Sequence, residues 1–211
     1  MKRILAYTFF VILVFVLLYN SVYFKKLDVV KSTLVSKQFD PVSYANSFWT
    51  DKLIPNASNA IEVVRLVSLL KANPEKTFTE YSHALGIGNV RYFLVKGEGA
   101  ITVVNEDDVV VLIKSDSSQQ QIRIATEYIF GNAVRDASRL IDINEFTNTM
   151  DFNNISSEIN AIIRAKVLPA FKQETEKGKV VQFTGAIELN KEHLNLTSIE
   201  VVPIIVNLKN E

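Results

Sequence analysis

Five charged residues stand close together in Phe130–Phe146, "FGNAVRDASRLIDINEF". Arg135 and Asp136 are neighbours, and Arg139, Asp142 and Glu145 follow within ten residues. Carboxylates near one another serve hydrolysis, where one acts as general acid and the other as base or nucleophile, and a glycosidase needs two about 5–9 Å apart. Asp136, Asp142, Glu145 and Asp151 supply the groups, but chain spacing does not set their separation. A guanidinium beside a carboxylate also suits ligand binding, because Arg presents planar donors to a ligand hydroxyl or carboxylate. The third reading is structural, with Arg135 bridging carbonyls or carboxylates at a barrel corner and Asn148 closing a turn. The binding reading names Arg135, Asp136 and Asn148, with Trp49 or Tyr128 as an aromatic platform. For Trp49, the only tryptophan, the alternative is a core anchor.

Other chemistries lack their residues. The chain has no cysteine, which removes thiolate nucleophiles, disulfides and cysteine metal sites. Only His83 and His193 could bring imidazole to a metal, so no metal or cofactor is expected. No Ser-His-Asp order is present, and Gly97-x-Gly99 lacks the further glycines of a phosphate-cradling loop. The sequence therefore reads as a non-enzyme. Its 23 basic and 23 acidic residues create no field to attract nucleic acid, and nucleic acid is not an expected partner.

The elements that must position these residues begin with an apolar N-terminus. Ile4–Phe24 carries no charge and is flanked by Lys2, Arg3, Lys25 and Lys26. About 20 apolar residues span a bilayer core. The expectation is an uncleaved signal-anchor over 1–26, a single pass through the cytoplasmic membrane. A cleaved secretory signal needs small residues at its cut, where this chain has Leu18-Tyr19-Asn20-Ser21. Residues 27–211 then form an extracytoplasmic domain, which the short basic N-terminus and the absence of cysteine both favour.

Within that domain, Asn59–Glu62 resembles a helix start, with Ile61, Val64, Val67 and Leu70 at helical spacing until Asn73-Pro74. A second short helix fits Glu75–Leu85, stopped by Gly86. Arg91–Asp116 reads as three short β-runs, with Gly97 and Gly99 at a bulge or bend, and Gln120–Phe130 as another strand. Arg135–Ile143 continues as strand or turn. Asn153–Leu168 is an amphipathic helix with Asn154 as candidate cap and Pro169 as its kink or end. Two strands close the chain, and Pro203 places the last at an edge or bulge. The order predicts an α+β fold: two helical blocks on a bent antiparallel sheet or small OB-like β-barrel. "YFLVKGEGAITVV" and "VQFTGAIEL" echo one another, which suggests an internal duplication with two similar halves.

Four stretches carry a family resemblance in order: "FDPVSYANSFWTDKLIP", "VKGEGAI", "GNAVRDASRLIDINEFTNTMDFNNISSEIN" and "GKVVQFTGAIEL". Over residues 27–208 the chain resembles the bacterial predicted periplasmic lipoproteins called domain of unknown function 2291. The resemblance implies an envelope location and a role near simple-sugar ABC transporters, and it implies no reaction. Members of that family typically carry a lipobox cysteine, which this chain lacks, so Ile4–Phe24 would replace the lipid as anchor. The expected function is thus a membrane-anchored extracytoplasmic accessory or binding protein, whose partners are the membrane, a sugar or components of a sugar ABC transporter. The alternatives are an envelope hydrolase using carboxylates of the 136–151 region and a purely structural envelope protein.

Overall fold

The computed structural model describes residues 7, 10, 14, 16, 17, 39–86, 88–115, 118–146 and 148–209. The chain divides into two units, Met1–Phe39 and Asp40–Glu211. Every element from Pro41 onward belongs to the second. The expected membrane helix at Ile4–Phe24 lies, apart from five residues, outside the described part. Among the described residues no helix is long and apolar enough to cross a membrane.

Helix α1 (Pro41–Ser47) starts where Asp40 accepts from the backbone N–H groups of Val42 and Ser43, with Pro41 in the first turn. It runs on through a π-helical turn, Phe48–Leu53, which buries Phe48, Trp49 and Leu53. The helix start expected at Asn59 is instead a 3-10 turn, Ala57–Asn59, and a two-residue strand β1 (Ile61–Glu62), paired in parallel with Val95 and Lys96. Pairing with the sheet outcompetes the local cap, and α2 (Val63–Ala72) begins only afterwards. Its Val63, Leu66, Val67 and Leu70 lie three and four apart and enter the central core. Asn73 ends α2 and caps α3 (Pro74–Tyr81) by accepting from Lys76 N. That helix stops short of the expected Leu85, because His83 makes a two-bond bridge to Tyr92.

The three expected β-runs are two strands. One is the long, bent β2 (Val90–Val104), and the other is β3 (Asp108–Ser115). With β4 (Ser118–Ala125), β5 (Val180–Asn190) and β6 (Ile199–Lys209) they close a barrel in the order β2-β3-β4-β6-β5, returning to β2. Closure depends on the length of β2. Its first eleven residues pair with β5, and four of its last five pair with β3, with an irregularity between Ile101 and Val103. The sheet is mixed rather than antiparallel throughout, since β4 and β6 run in parallel over Ile122–Ile124 and Ile199–Val201.

Glycines admit the close approaches. A Cβ on Gly99 would fall 2.5 Å from the Leu112 carbonyl oxygen, and one on Gly185 would fall 2.5 Å from the Val202 oxygen. At Gly97 the missing side chain makes room for the ring of Phe183, which fills the barrel with Phe93, Val95, Ile124 and Val201. Pro203 sits at the irregular register where Gly185 opposes Pro203 and Thr184 opposes Ile205, beyond the reach of β4. The two echoing runs are β2 and β5, adjacent antiparallel strands of this single barrel. They are not matching strands of two separate halves.

A second helical block joins β4 to β5. Arg135 lies on neither strand nor turn but on α4 (Ala133–Ser138). Helix α5 (Thr149–Ile162) is capped by Asn148 rather than Asn154. A π-helical turn, Ile163–Val167, leads into α6 (Leu168–Glu174). Pro169 neither ends nor breaks this run, because it falls in the first turn of α6, where its missing N–H is harmless. Within this architecture α4 packs on β2 and β5, and α5 packs on α1.

Candidate functional site

All six residues of α4 are buried, and two of them are Arg135 and Asp136, each 4% exposed. The chain enters through Gly131, whose φ of +82° suits glycine. Its carbonyl accepts from Asn160 Nδ2 at 2.9 Å, and the Ile129 carbonyl accepts from Arg164. The chain leaves through Arg139 at φ +61°, a left-handed cap. The Arg139 side chain donates to the carbonyl oxygens of Glu80 (3.2 Å) and Ser82 (2.7 Å), which closes the C-terminal end of α3.

Buried charge must be compensated. Arg135 Nε donates to Asp136 Oδ1 at 2.7 Å, and Nη1 donates to the Phe152 carbonyl oxygen at 3.1 Å and to Asn153 Oδ1 at 3.5 Å. The guanidinium carbon lies 3.7 Å from the centre of the Phe152 ring, a cation–π contact. Phe152 in turn meets Phe146, which meets Tyr44, each pair of rings 5.5 Å apart. On the barrel side, His83 Nδ1 donates to the Asp136 carbonyl oxygen at 2.9 Å.

The pair is also open on one side. It lines a cleft of about 390 Å³ together with Leu85, Tyr92, Asn132, Ile143, Phe152 and Asn153. Among the described residues, Arg135 Nη2 and Asp136 Oδ2 make no hydrogen bond. Neither belongs with Arg123 Nε and Ser156 Oγ, the partnerless polar side-chain atoms that are buried. Both atoms are therefore accessible, on residues that line the cleft. Tyr92 is the third polar group there. Burial, with Glu188 and Asp136 nearby, raises its pKa above the ordinary 10.0, and Arg135 opposes that rise. The Tyr92 phenol accordingly stays protonated at neutral pH. Among the described residues no group of three His, Asp or Glu side chains is placed to hold a metal ion.

The other residues singled out in the sequence lie elsewhere. Asn148 sits at the N-terminus of α5, accepting from Asp151 N at 2.8 Å and donating to Asp151 Oδ2 at 2.7 Å. Trp49 is 7% exposed in the first helical block, and Tyr128 is exposed on a loop; neither lines the cleft. Asp142 accepts from Asn144 N, and Glu145 accepts from the Tyr44 hydroxyl at 3.4 Å. Sequence reasoning missed Tyr92, Asn132, Phe152 and Asn153. One signal was available: Asn148 with an acidic residue three on starts the helix at Thr149, which puts Phe152 and Asn153 on its first turns.

Residues 12–207 match the model of a family described as predicted periplasmic lipoprotein, domain of unknown function 2291. No curated protein matches the chain. Among solved structures the chain is similar to an OB-fold protein from Thermotoga maritima, with 25% identity and a TM-score of 0.71 over 82% of this chain and 100% of that one. The barrel order β2-β3-β4-β6-β5 is the five-stranded closure of that fold.

Proposed function

The chain belongs to the predicted periplasmic lipoprotein family, and from that premise we propose that it is an extracytoplasmic accessory protein binding a small polar ligand between α4 and the barrel. In this reading it works beside a sugar ABC transport system and is held at the cytoplasmic membrane by residues 4–24. The sequence has no cysteine to carry a lipid, so the apolar segment is the proposed tether. The observation that carries the binding site is the cleft of about 390 Å³, within the range of small-molecule sites. A buried ion pair there keeps a donor and an acceptor unspent.

Binding is favoured over hydrolysis by the state of the carboxylates. Asp136 is ion-paired, Asp142 caps a turn, Asp151 is held by the helix cap, and Glu145 accepts from Tyr44. None is left as a free pair across an open cleft.

Thermal unfolding of the full chain against a panel of sugars, polyols, sugar acids and sugar phosphates tests the site. A ligand at a hundred times its Kd stabilises by about 2.7 kcal/mol, roughly 5–11 °C for a domain of this size. The expected result is a shift that Asn153→Ala reduces. A panel without any shift, or a shift that Asn153→Ala leaves whole, would overturn it. The tether is tested separately, by whether alkaline carbonate extraction leaves the chain in the membrane fraction.

A further inference from the structure

The unspent atoms of the ion pair also specify a ligand. We propose that the cleft takes a neutral molecule with two adjacent hydroxyls, a vicinal diol of the polyol or sugar kind, in preference to a carboxylate or phosphate. This rests on the proposed reading of the cleft as a binding site.

The first argument is charge. Arg135 and Asp136 are both about 4% exposed and bonded to each other, so they cancel locally. An anion drawn to the guanidinium would also face the Asp136 carboxylate, and a cation would face the converse. The lining residues offer no net charge to either, so an added charge loses water without gaining a free counter-charge.

The second argument is hydrogen-bond valence. Arg and a carboxylate can join by two parallel bonds. Here a single bond, Nε to Oδ1, joins them, which leaves the N–H groups of Nη2 as donors and Oδ2 as an acceptor. A hydroxyl is the common ligand group that both donates and accepts. Two on neighbouring carbons satisfy the pair at once, one accepting from Nη2 and the other donating to Oδ2. A carboxylate or phosphate dianion offers only acceptors and leaves Oδ2 unsatisfied against like charge.

The rest of the lining agrees. The protonated Tyr92 phenol and the Asn132 amide, neither hydrogen-bonded to another described residue, can serve further hydroxyls. Leu85, Ile143 and Phe152 give the apolar wall that covers the C–H face of such a ligand.

The test is titration calorimetry of the full chain in detergent with matched probes: glucose, xylose and myo-inositol against glucuronate and glucose 6-phosphate. At least one neutral diol is expected to bind tenfold or more tightly than its charged counterpart. Asp136→Asn frees the Arg135 charge and should narrow or invert that ratio. Anions binding as well as neutral diols, or a ratio that Asp136→Asn leaves unchanged, would sink the diol assignment while the binding site stands. Silence from every probe would sink both. If Asp136→Asn fails to give the native near-ultraviolet circular dichroism, Asn132→Asp adds negative charge to the same lining without touching the pair. It should widen the ratio, and an unchanged ratio overturns the proposal.

Discussion

His83 Nδ1 and the carbonyl oxygen of Asp136 lie 2.9 Å apart, fifty-three residues apart in the chain. A carbonyl oxygen only accepts, so Nδ1 carries the proton and Nε2 is left as the acceptor when the ring is neutral. The same His83 forms the backbone bridge to Tyr92. One residue thus links the first barrel strand to the helix that bears the buried pair. Nitrogen-15 NMR of the neutral ring should show the Nδ1–H tautomer. Dominance of Nε2–H would mean that this bond is not formed in solution.

Arg135 matters to stability whether or not a ligand binds. Removing one partner of a buried pair strands the other charge, at a cost of about 3–5 kcal/mol. Arg135→Ala should therefore lower the unfolding free energy in urea by about that amount. Arg135→Ala combined with Asp136→Ala should cost less than the two single losses summed, because the second change removes the stranded charge. Additive losses would mean that the residues act independently despite their 2.7 Å bond.

The glycines differ in what an added Cβ would meet. A Cβ on Gly99 or Gly185 would lie 2.5 Å from backbone oxygen of the neighbouring strand, whereas one on Gly88 meets nothing within 4 Å. Gly99→Ala and Gly185→Ala should each cost about 1–3 kcal/mol or more, as overpacking does. Gly88→Ala, in the lining of the cleft, should stay within about 0.5 kcal/mol. Equal melting temperatures for Gly99→Ala and Gly88→Ala would contradict the close crossing of β2 and β3.

Two tyrosines set an alkaline limit. Burial, then the nearby Glu145 charge and its hydrogen bond, raises the pKa of Tyr44, and burial with Glu188 and Asp136 raises that of Tyr92, both above 10.0. A raised folded pKa means that the neutral phenol is favoured in the fold. The contribution is complete below pH 10.0 and is lost as pH rises from there through the folded value. Stability should fall above pH 10.0, and Tyr92→Phe should make that fall shallower. An unchanged alkaline slope in Tyr92→Phe would remove Tyr92 from this account.

The sequence by itself determined the α+β class and most of the strands, leaving a bent sheet or a small barrel open, because alternation in "YFLVK" and "VVQFTGAIEL" and the stripe Val63, Leu66, Val67 and Leu70 are local consequences of which face is buried. The irregularity expected at Gly97 and Gly99 falls instead between Ile101 and Val103. The sequence also singled out Arg135 and Asp136 by residue type. Tertiary structure decided what those residues meet. Ile61–Glu62 became a strand because the edge of β2 was there to pair with it, against its capping pattern. Arg135 turned out to lie on a buried helix because α5 offered the Phe152 carbonyl and ring to hold a charge inside. The cleft joins Leu85 and Tyr92 to Asn132 and Phe152, residues brought together by barrel closure and helix packing. Local periodicity records burial, but it does not record which distant atoms supply the missing hydrogen bonds, and those atoms define the site.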